Sequence, residues 1–391
     1  MGCCRVILIS SVRPEPSTGG SLILHRHFSK AHGISIEAYG TEPKALSASA
    51  LVRRFFGRLA QTPLFRLAHD FWVWWEGRWL DNALPQVIAA VEPVVVLTIA
   101  QGDACGAARR FAFKHRLPFA TIFHDWWPDI PPVHDGWRRV LERQFRDLYS
   151  GSSLALCVSD GMRAELGPHP RARLLYPIPQ ARVPHIDDRL CDTARPLRIV
   201  YAGNLGEYGP MIASALCALR GHSLISLEVR GSNPRWPASL KKEFRASGQW
   251  LEFAPRNQLE PWLARADVFL IPMVFDVDKR RRMETSFPSK LPEFAQFGKP
   301  LVIWGPEYCS AVKWARKGDR ALCVTDPRPA VLVQRLESLI GSATQQRRLG
   351  IAAKQAARTD FDPEVIQAQF IGAMRSITQI CQDSAGCAGK K

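Results

Sequence analysis

Short apolar runs alternate with longer stretches of helical character along the whole chain. Twelve such runs have the length and composition of buried strands; they span residues 5–11, 34–39, 94–99, 119–123, 154–158 and 173–176 in the first half and 197–202, 224–230, 250–253, 268–271, 300–304 and 321–324 in the second. Strands that alternate with helices form a parallel sheet covered on both faces. The pattern therefore predicts an α/β protein with two Rossmann-like domains.

A proline-rich segment separates the two halves. Residues 177–196 hold four prolines and show neither helical nor strand periodicity, so we predict a linker there. This places an N-terminal domain at 1–176 and a C-terminal domain at 197–362. Residues 363–380 have the apolar spacing of a final helix. Residues 381–391 are small and polar, and we expect them to form a disordered tail.

The net charge restricts the class of partner. The chain of 391 residues carries 52 basic and 36 acidic side chains, a formal charge of +16, which favours nucleic acid, anionic lipid headgroups or diphosphate substrates. Zinc fingers, aromatic RNA-binding sheet motifs and basic zippers are absent, so no nucleic-acid partner is expected. The ten cysteines form no Cys-x-x-Cys pair. Reduced thiols in a cytoplasmic protein are the simplest interpretation.

One stretch between the second and third predicted strands combines aromatic and basic residues. Residues 51–80 contain eight Phe and Trp side chains interleaved with five arginines. Such a mixture is typical of a helix that lies among lipid headgroups, which predicts an anionic membrane surface as a partner. A helical pair packed on the N-terminal sheet, with solvated arginines, explains the same residues. The sequence leaves both interpretations open.

The most informative segment lies near the middle of the second half. Residues 286–300 read Ser-Phe-Pro-Ser-Lys-Leu-Pro-Glu-Phe-Ala-Gln-Phe-Gly-Lys-Pro. A polar turn with Pro288 opens a predicted helix, and Gly298 ends it. Free N–H groups at a helix N-terminus can hold a phosphate. Glu293, about two turns further on, suits the hydroxyls of a ribose. This segment resembles the donor-site signature of family 4 glycosyltransferases, in which the Glu binds the ribose of a sugar nucleotide.

The resemblance extends from about Arg5 to Phe370. The carrying segments are the strand-to-glycine turn at 199–206, the loop at 229–232, the strand at 266–272, the His-Asp-x-Trp-Pro-like turn at 121–129 and the Val-Ser-x-Gly-Met segment at 156–162. It implies a GT-B fold, with two facing Rossmann-like domains with parallel sheets. It also implies that the final helix crosses back to the first domain.

The resemblance assigns roles to individual residues. His124 is expected to contact the transferred sugar. The Arg and Lys pair that the family usually places on the diphosphate is not evident after Gly206, and Lys290 is the candidate to stabilise the leaving diphosphate in its place. Gly19 and Gly20 line the cleft near the donor phosphates and the acceptor. The residues implied in nucleotide binding are Gly203, Asn204, Gly231, Ser286, Phe287, Ser289 and Glu293. Neither a metal nor a cofactor is expected.

One position departs from the family pattern. Many members carry a second glutamate eight residues before the ribose-binding one, and this chain has Thr285 there, with Glu284 one residue off. The identity of the transferred sugar is therefore open. The basic run 279–282 is either a second contact for the diphosphate or a solvated loop.

These observations predict a glycosyltransferase that moves a sugar from a nucleotide diphosphate sugar to an acceptor hydroxyl. The resemblance implies retention of anomeric configuration, metal independence and a sugar or lipid-linked acceptor in cell-surface polysaccharide synthesis. The expected location is the cytoplasm or the inner face of a membrane. A GT-B sugar-nucleotide epimerase and a non-catalytic nucleotide-sugar-binding protein are the alternatives.

Overall fold

The computed structural model describes residues 4–16, 19–29, 34–39, 48–79, 84, 94–102, 104–180, 195–232 and 234–388. Most of the predicted linker, residues 181–194, lies outside the described residues. The chain divides into two compact units: Met1–Tyr176 together with Ile366–Lys391 form unit 1, and Pro177–Val365 form unit 2.

Unit 1 is built on a six-stranded sheet whose strands are all parallel. The strands are β1 (Cys4–Ile9), β2 (Ile34–Tyr39), β3 (Val94–Ile99), β4 (Phe119–Phe123), β5 (Leu154–Cys157) and β6 (Ala172–Leu174). Their order in the sheet is β2-β1-β3-β4-β5-β6. Strands β3, β4 and β5 are buried along their whole length, because helices pack on both faces of the sheet.

The helices of this unit are α1 (Gly19–Ser29), α2 (Ala48–Leu59), α3 (Phe65–Trp79), α4 (Ala104–Lys114), α5 (Asp135–Ser150) and α6 (Asp160–Leu166). The side chain of Ser159 accepts a hydrogen bond from the backbone N–H of Met162, which fixes the start of α6. Ser159 is thus the N-cap of α6.

Unit 2 repeats the same architecture with a different strand order. The strands are β7 (Leu197–Ala202), β8 (Ile225–Arg230), β9 (Trp250–Leu251), β10 (Val268–Pro272), β11 (Leu301–Trp304) and β12 (Leu322–Val324), all parallel. They lie in the order β12-β11-β10-β7-β8-β9. The helices are α7 (Gly209–Ala218), α8 (Ala238–Ala246), α9 (Arg256–Ala264), α10 (Arg280–Thr285), α11 (Lys290–Ala295), α12 (Ser310–Arg316), α13 (Pro329–Ile340) and α14 (Ala343–Arg358).

All twelve predicted strands are present, and their ends differ from the predicted ends by at most two residues. The α/β fold with two parallel sheets is therefore confirmed. The prediction was accurate because strands buried on both faces appear in the sequence as short continuous apolar runs.

The prediction of a disordered tail at residues 381–391 was wrong for residues 381–388. The last helix, α15 (Pro363–Ala388), continues eight residues beyond the predicted end at 380. Residues 381–388 contain no proline, and their alanine, glutamine and cysteine residues are compatible with a helix. Within unit 1, the ring of Phe370 on this helix lies 5.2 Å from the ring of His27 and 5.7 Å from that of Phe28.

Candidate functional site

The strand order of unit 2 reverses between β7 and β10. These strands are neighbours, but the chain leaves β7 towards β8 on one side and leaves β10 towards β11 on the other. In open α/β sheets, ligands bind outside the carboxyl ends of the strands at such a switch point. Gly203 and Asn204 follow β7 directly, and residues 286–293 belong to the connection between β10 and β11. These residues therefore belong to connections that begin at the switch point, whereas Gly231, also predicted to bind the nucleotide, follows the neighbouring strand β8.

An ion pair joins the two connections. Arg282 on α10 contacts Glu207 in the turn after β7, with Nη1 and Oε1 2.9 Å apart, and the Glu207 side chain is only 11% exposed. The turn itself is held by its own side chains, since Asn204 Oδ1 accepts a hydrogen bond of 2.8 Å from Gly206 N. Burial raises the pKa of Tyr201 well above its ordinary value, so its hydroxyl stays protonated and donates to the Asn204 carbonyl.

Ser286 and Phe287 make contacts within unit 2. The backbone N–H of Ser286 donates to Arg282 O and closes α10, and its carbonyl accepts a hydrogen bond from the Ser310 hydroxyl. Phe287 is buried and its ring packs against Trp314 and Phe361. These contacts hold the loop in place. They use the Ser286 amide and the Phe287 ring, which the resemblance had assigned to the nucleotide.

Helix α11 begins later than predicted. It starts at Lys290 and has six residues, so Glu293 lies in its first turn and not two turns along it. The reason is that Pro288 and Ser289 form a turn before the helix, closed by the hydrogen bond from Leu291 N to Pro288 O. Within the described ranges, the backbone N–H groups of Ser289 and Lys290 donate no hydrogen bond, and the Lys290 ammonium forms no ion pair.

The basic run upstream is largely neutralised. Lys279 contacts Asp276 at 3.8 Å and Arg280 contacts Glu284 at 3.1 Å, while Arg282 is held by Glu207. At least three of its four side chains thus have carboxylate partners. This pairing favours neither a free diphosphate contact nor a solvated loop.

Thr285 is fully buried and its hydroxyl donates to the Arg281 carbonyl one helical turn back. Glu284 contacts Arg280 on the same helix, with Oε1 and Nε 3.1 Å apart.

Gly231 and Gly203 are adjacent at the ends of β8 and β7. Gly203 N donates to Arg230 O, Gly231 N donates to Leu251 O, and the Trp250 indole donates to Gly231 O. These bonds extend the sheet beyond the ends of the strands. The observed role of Gly231 is therefore to let the backbones after β7 and β8 pack closely together.

In unit 1 the strand order reverses between β1 and β3. The loop after β1 and the loop after β3 meet there, because the Ser11 hydroxyl donates to Gln101 O at 2.8 Å. Gly19 and Gly20 are exposed at the start of α1. His124 follows β4, the strand beside β3, and its Nε2 atom is buried without a hydrogen-bond partner among the described residues. Burial lowers the pKa of His124, against the opposing effect of Asp125.

Sequence reasoning missed His27. This residue lies on the buried face of α1 with Ile23 and Leu24, and both of its ring nitrogens are buried without a hydrogen-bond partner in the described part of the chain. Burial first, then the charges of His124 and Arg26, lowers the pKa of His27 to about 3. The sequence did hold a signal: His27 lies four positions after Ile23 and three after Leu24, so it shares the apolar face of the helix with them.

In the ranges that the structure describes, no group of three or more His, Cys, Asp or Glu side chains could hold a metal ion. None of the helices in the same ranges combines the length and the apolar character needed to cross a membrane.

Comparison with known proteins shows the fold. No protein-family model matches the chain, and no curated protein matches it. Among solved structures, a sucrose-phosphate synthase from Thermosynechococcus elongatus is similar over 97% of this chain and 100% of its own, with a TM-score of 0.62 and 13% identity. The Anabaena protein HepE in complex with UDP and glucose is similar over 95% and 99%, with a TM-score of 0.63 and 14% identity.

A trehalose 6-phosphate synthase from Burkholderia multivorans is similar over 97% of this chain and 100% of its own, with a TM-score of 0.60 and 14% identity. These solved structures are GT-B glycosyltransferases. The chain therefore has the GT-B fold that the sequence resemblance implied. Membership of family 4 stays a prediction.

Proposed function

We propose that the protein is a glycosyltransferase that moves a sugar from a nucleotide diphosphate sugar to an acceptor hydroxyl. The observation that carries this proposal lies in a connection that begins at the switch point of the unit 2 sheet. The backbone N–H groups of Ser289 and Lys290 and the Lys290 ammonium have no hydrogen-bond or ion-pair partner there among the residues that the structure describes. These groups suit a diphosphate. The similarity to HepE, whose solved structure contains UDP and glucose, supports this class of donor.

The chemistry follows from the charge on the leaving group. When the bond between the sugar and the diphosphate breaks, negative charge develops on the β-phosphate, and fixed N–H dipoles and a cation stabilise that charge. In this proposal Lys290 supplies the cation, so that the reaction needs no metal ion. The acceptor oxygen forms the new bond to the sugar, and its proton passes to a phosphate oxygen of the departing nucleotide. The acceptor oxygen then lies on the same face of the sugar as the departing diphosphate, and the anomeric configuration is retained.

Glu293 has the role of a ribose anchor. A carboxylate accepts hydrogen bonds from two neighbouring hydroxyl groups, and hydrogen bonds to a charged acceptor are stronger than those between neutral groups. Asn204 in the turn after β7 is exposed and offers an amide to the same ligand. Gly231 contributes by keeping the two turns close together.

The residues of unit 1 have the second set of proposed roles. His124 is neutral near pH 7 because burial lowers its pKa, so its ring can exchange hydrogen bonds with a sugar hydroxyl without adding a charge. Gly19 and Gly20 would line the acceptor side. A sugar or lipid-linked acceptor in cell-surface polysaccharide synthesis, at the cytoplasmic face of a membrane, is the context we propose.

A thermal-shift screen against nucleotide diphosphate sugars tests the proposal. A ligand that binds only the native state raises the melting temperature, so we expect one nucleotide to give a selective rise. Incubation of that donor with acceptor sugars should then release free nucleoside diphosphate. If no member of a panel of uridine, guanosine, adenosine and thymidine diphosphate sugars raises the melting temperature, the proposal is wrong.

A non-catalytic nucleotide-sugar-binding protein is the second candidate. It is favoured by the buried Thr285, whose hydroxyl is used within α10, and by the contact of Glu284 with Arg280. Neither side chain replaces the glutamate that the family places against the donor sugar. A selective thermal shift without release of nucleotide by any acceptor would support this second function.

A further inference from the structure

Helices α2 and α3 form a hairpin in unit 1. The Thr62 side chain closes the turn between them, since its hydroxyl donates to Leu59 O and accepts from Leu64 N. The rings of Phe56 on α2 and Phe71 on α3 are stacked with their centroids 3.9 Å apart. The hairpin therefore has an internal apolar contact and a defined turn.

One side of α3 attaches the hairpin to the rest of unit 1. Ala68 and Asp70 are buried. The Asp70 carboxylate accepts hydrogen bonds from the backbone N–H of His134, at 3.0 Å, and from its ring Nδ1, at 2.5 Å. These contacts fix α3 against the N-terminus of α5.

The residues around the turn, unlike the attached side of α3, are exposed and are both apolar and basic. Three large apolar side chains are exposed there: Phe55 to 62%, Leu64 to 52% and Leu67 to 54%. Arg54, Arg58 and Arg66 are exposed among them. We refer to residues 54–67 as the hairpin tip. The chain from residue 43 to residue 69 holds five lysines and arginines and no aspartate or glutamate, so the tip is positively charged.

We propose that the hairpin tip docks on the surface of an anionic lipid bilayer. Aromatic and aliphatic side chains enter the boundary between headgroups and acyl chains, and arginines bind lipid phosphates. Residues 54–67 contain three arginines and no aspartate or glutamate, so the charge of the tip complements that of anionic lipid phosphates. This inference rests on the membrane context of the proposed function and names the surface that makes the contact, but docking of this kind needs no donor and no acceptor.

Co-sedimentation of the full chain with vesicles tests the inference. Wild-type protein should bind vesicles of phosphatidylcholine and phosphatidylglycerol and should bind phosphatidylcholine alone much more weakly. The double variant Phe55→Ser/Leu67→Ser removes exposed apolar area, and Arg54→Glu/Arg58→Glu reverses two charges. We expect each double variant to lower the partition coefficient at least about tenfold, because one removes apolar side chains that enter the bilayer boundary and the other removes contacts with lipid phosphates.

The chain offers matched controls in unit 2. Phe253 is 63% exposed, close to the value for Phe55, and Arg335 and Arg347 are exposed on α13 and α14. The variants Phe253→Ser and Arg335→Glu/Arg347→Glu should bind vesicles as the wild type does. Because all seven substituted side chains are exposed, the melting temperatures should change little.

Three results would overturn the inference. The first is vesicle binding by the tip variants equal to that of the wild type. The second is equal binding to vesicles with and without phosphatidylglycerol, which would remove the arginine contacts. The third is a wild-type protein that is a dimer and does not bind vesicles, together with a Phe55→Ser/Leu67→Ser variant that is a monomer. That result would identify a second copy of the chain as the occupant. None of these results depends on donor binding, so the proposed function is tested separately.

Discussion

A Cβ atom placed on Gly231 would lie 2.4 Å from the carbonyl oxygen of Gly203 and 2.7 Å from Leu205 Cγ. The turns after β7 and β8 therefore meet with no space for a side chain. The backbone oxygen cannot move without breaking the extension of the sheet, in which Gly203 N donates to Arg230 O. The closeness of these two glycines shapes the edge of the sheet at which we place the nucleotide.

Substitution of Gly231 by alanine should destabilise the protein. Forcing a methyl group into a filled space costs about 1–3 kcal/mol, and the shift of the turn after β7 should also weaken nucleotide binding. Denaturant-induced unfolding measures the first effect and calorimetric titration measures the second. Gly372→Ala is the matched control, since this glycine is exposed inside α15 and a Cβ there meets nothing within 4 Å. It should be neutral or stabilise by up to about 1 kcal/mol.

Glu293→Ala should weaken nucleotide binding. A hydrogen bond to a charged group contributes about 1.5–3 kcal/mol, so we expect a loss of affinity of about ten- to a hundredfold for the donor identified by the thermal-shift screen. Glu307→Ala serves as the control, because this carboxylate is exposed and contacts Arg316. Wild-type affinity in the Glu293 variant would remove the assignment of the ribose to this residue.

Lys290→Ala should lower turnover more than it lowers binding. A group that stabilises charge developed only in the transition state acts on kcat, and removing one such group costs about a hundred- to a thousandfold. Lys290→Arg should restore part of the rate because it keeps the charge. Lys299→Ala, a change at a partly exposed lysine beyond the end of α11, is the control. An unchanged kcat in the Lys290→Ala variant would contradict the role of this side chain at the diphosphate.

His27 should make the protein sensitive to acid. Its pKa is lowered to about 3 in the folded state from an ordinary value of 6.5, so between these values the unfolded chain binds a proton that the folded chain does not. The stability that depends on neutral His27 is complete above pH 6.5 and is lost as the pH falls towards 3. The full difference corresponds to roughly 5 kcal/mol.

Unfolding measured from pH 7 to pH 4 in the wild type and in His27→Phe checks this expectation. The variant should lose stability less steeply than the wild type over that range. His25→Gln, on the same helix but partly exposed, should leave the slope unchanged. Equal slopes for the wild type and the His27 variant would show that this histidine is not the acid-sensitive group.

Several features of the fold could be predicted from the sequence. The positions of the twelve strands were predictable because each is a short apolar run between turn residues, and its burial on both faces leaves no polar alternation to confuse the pattern. The switch from strand to glycine turn at Gly203 was equally visible. The segment around Lys290 and Glu293 could be singled out because its residue types suit a diphosphate and a ribose.

Other features required the structure because they depend on residues far apart in the chain. Strand order places the connections that follow β7 and β10 at a switch point, and the pair of Arg282 with Glu207 joins residues 75 positions apart. Phe287 looked available to a ligand in the sequence, but Trp314 and Phe361 bury it. Helix α11 starts later than predicted, because the sequence around Pro288 did not distinguish a turn from the first turn of a helix.

The sequence by itself thus determined which segments are strands and helices, since local hydrophobic patterns decide these. Only the tertiary structure decided which polar side chains are buried, paired or exposed. The His27 ring is buried with no hydrogen-bond partner among the described residues, because Phe370 of α15 packs against it. Phe55 on α2 is exposed, because the hairpin attaches to the rest of unit 1 through Ala68 and Asp70 of α3. Burial is a property of neighbours, and neighbours are set by packing across the chain.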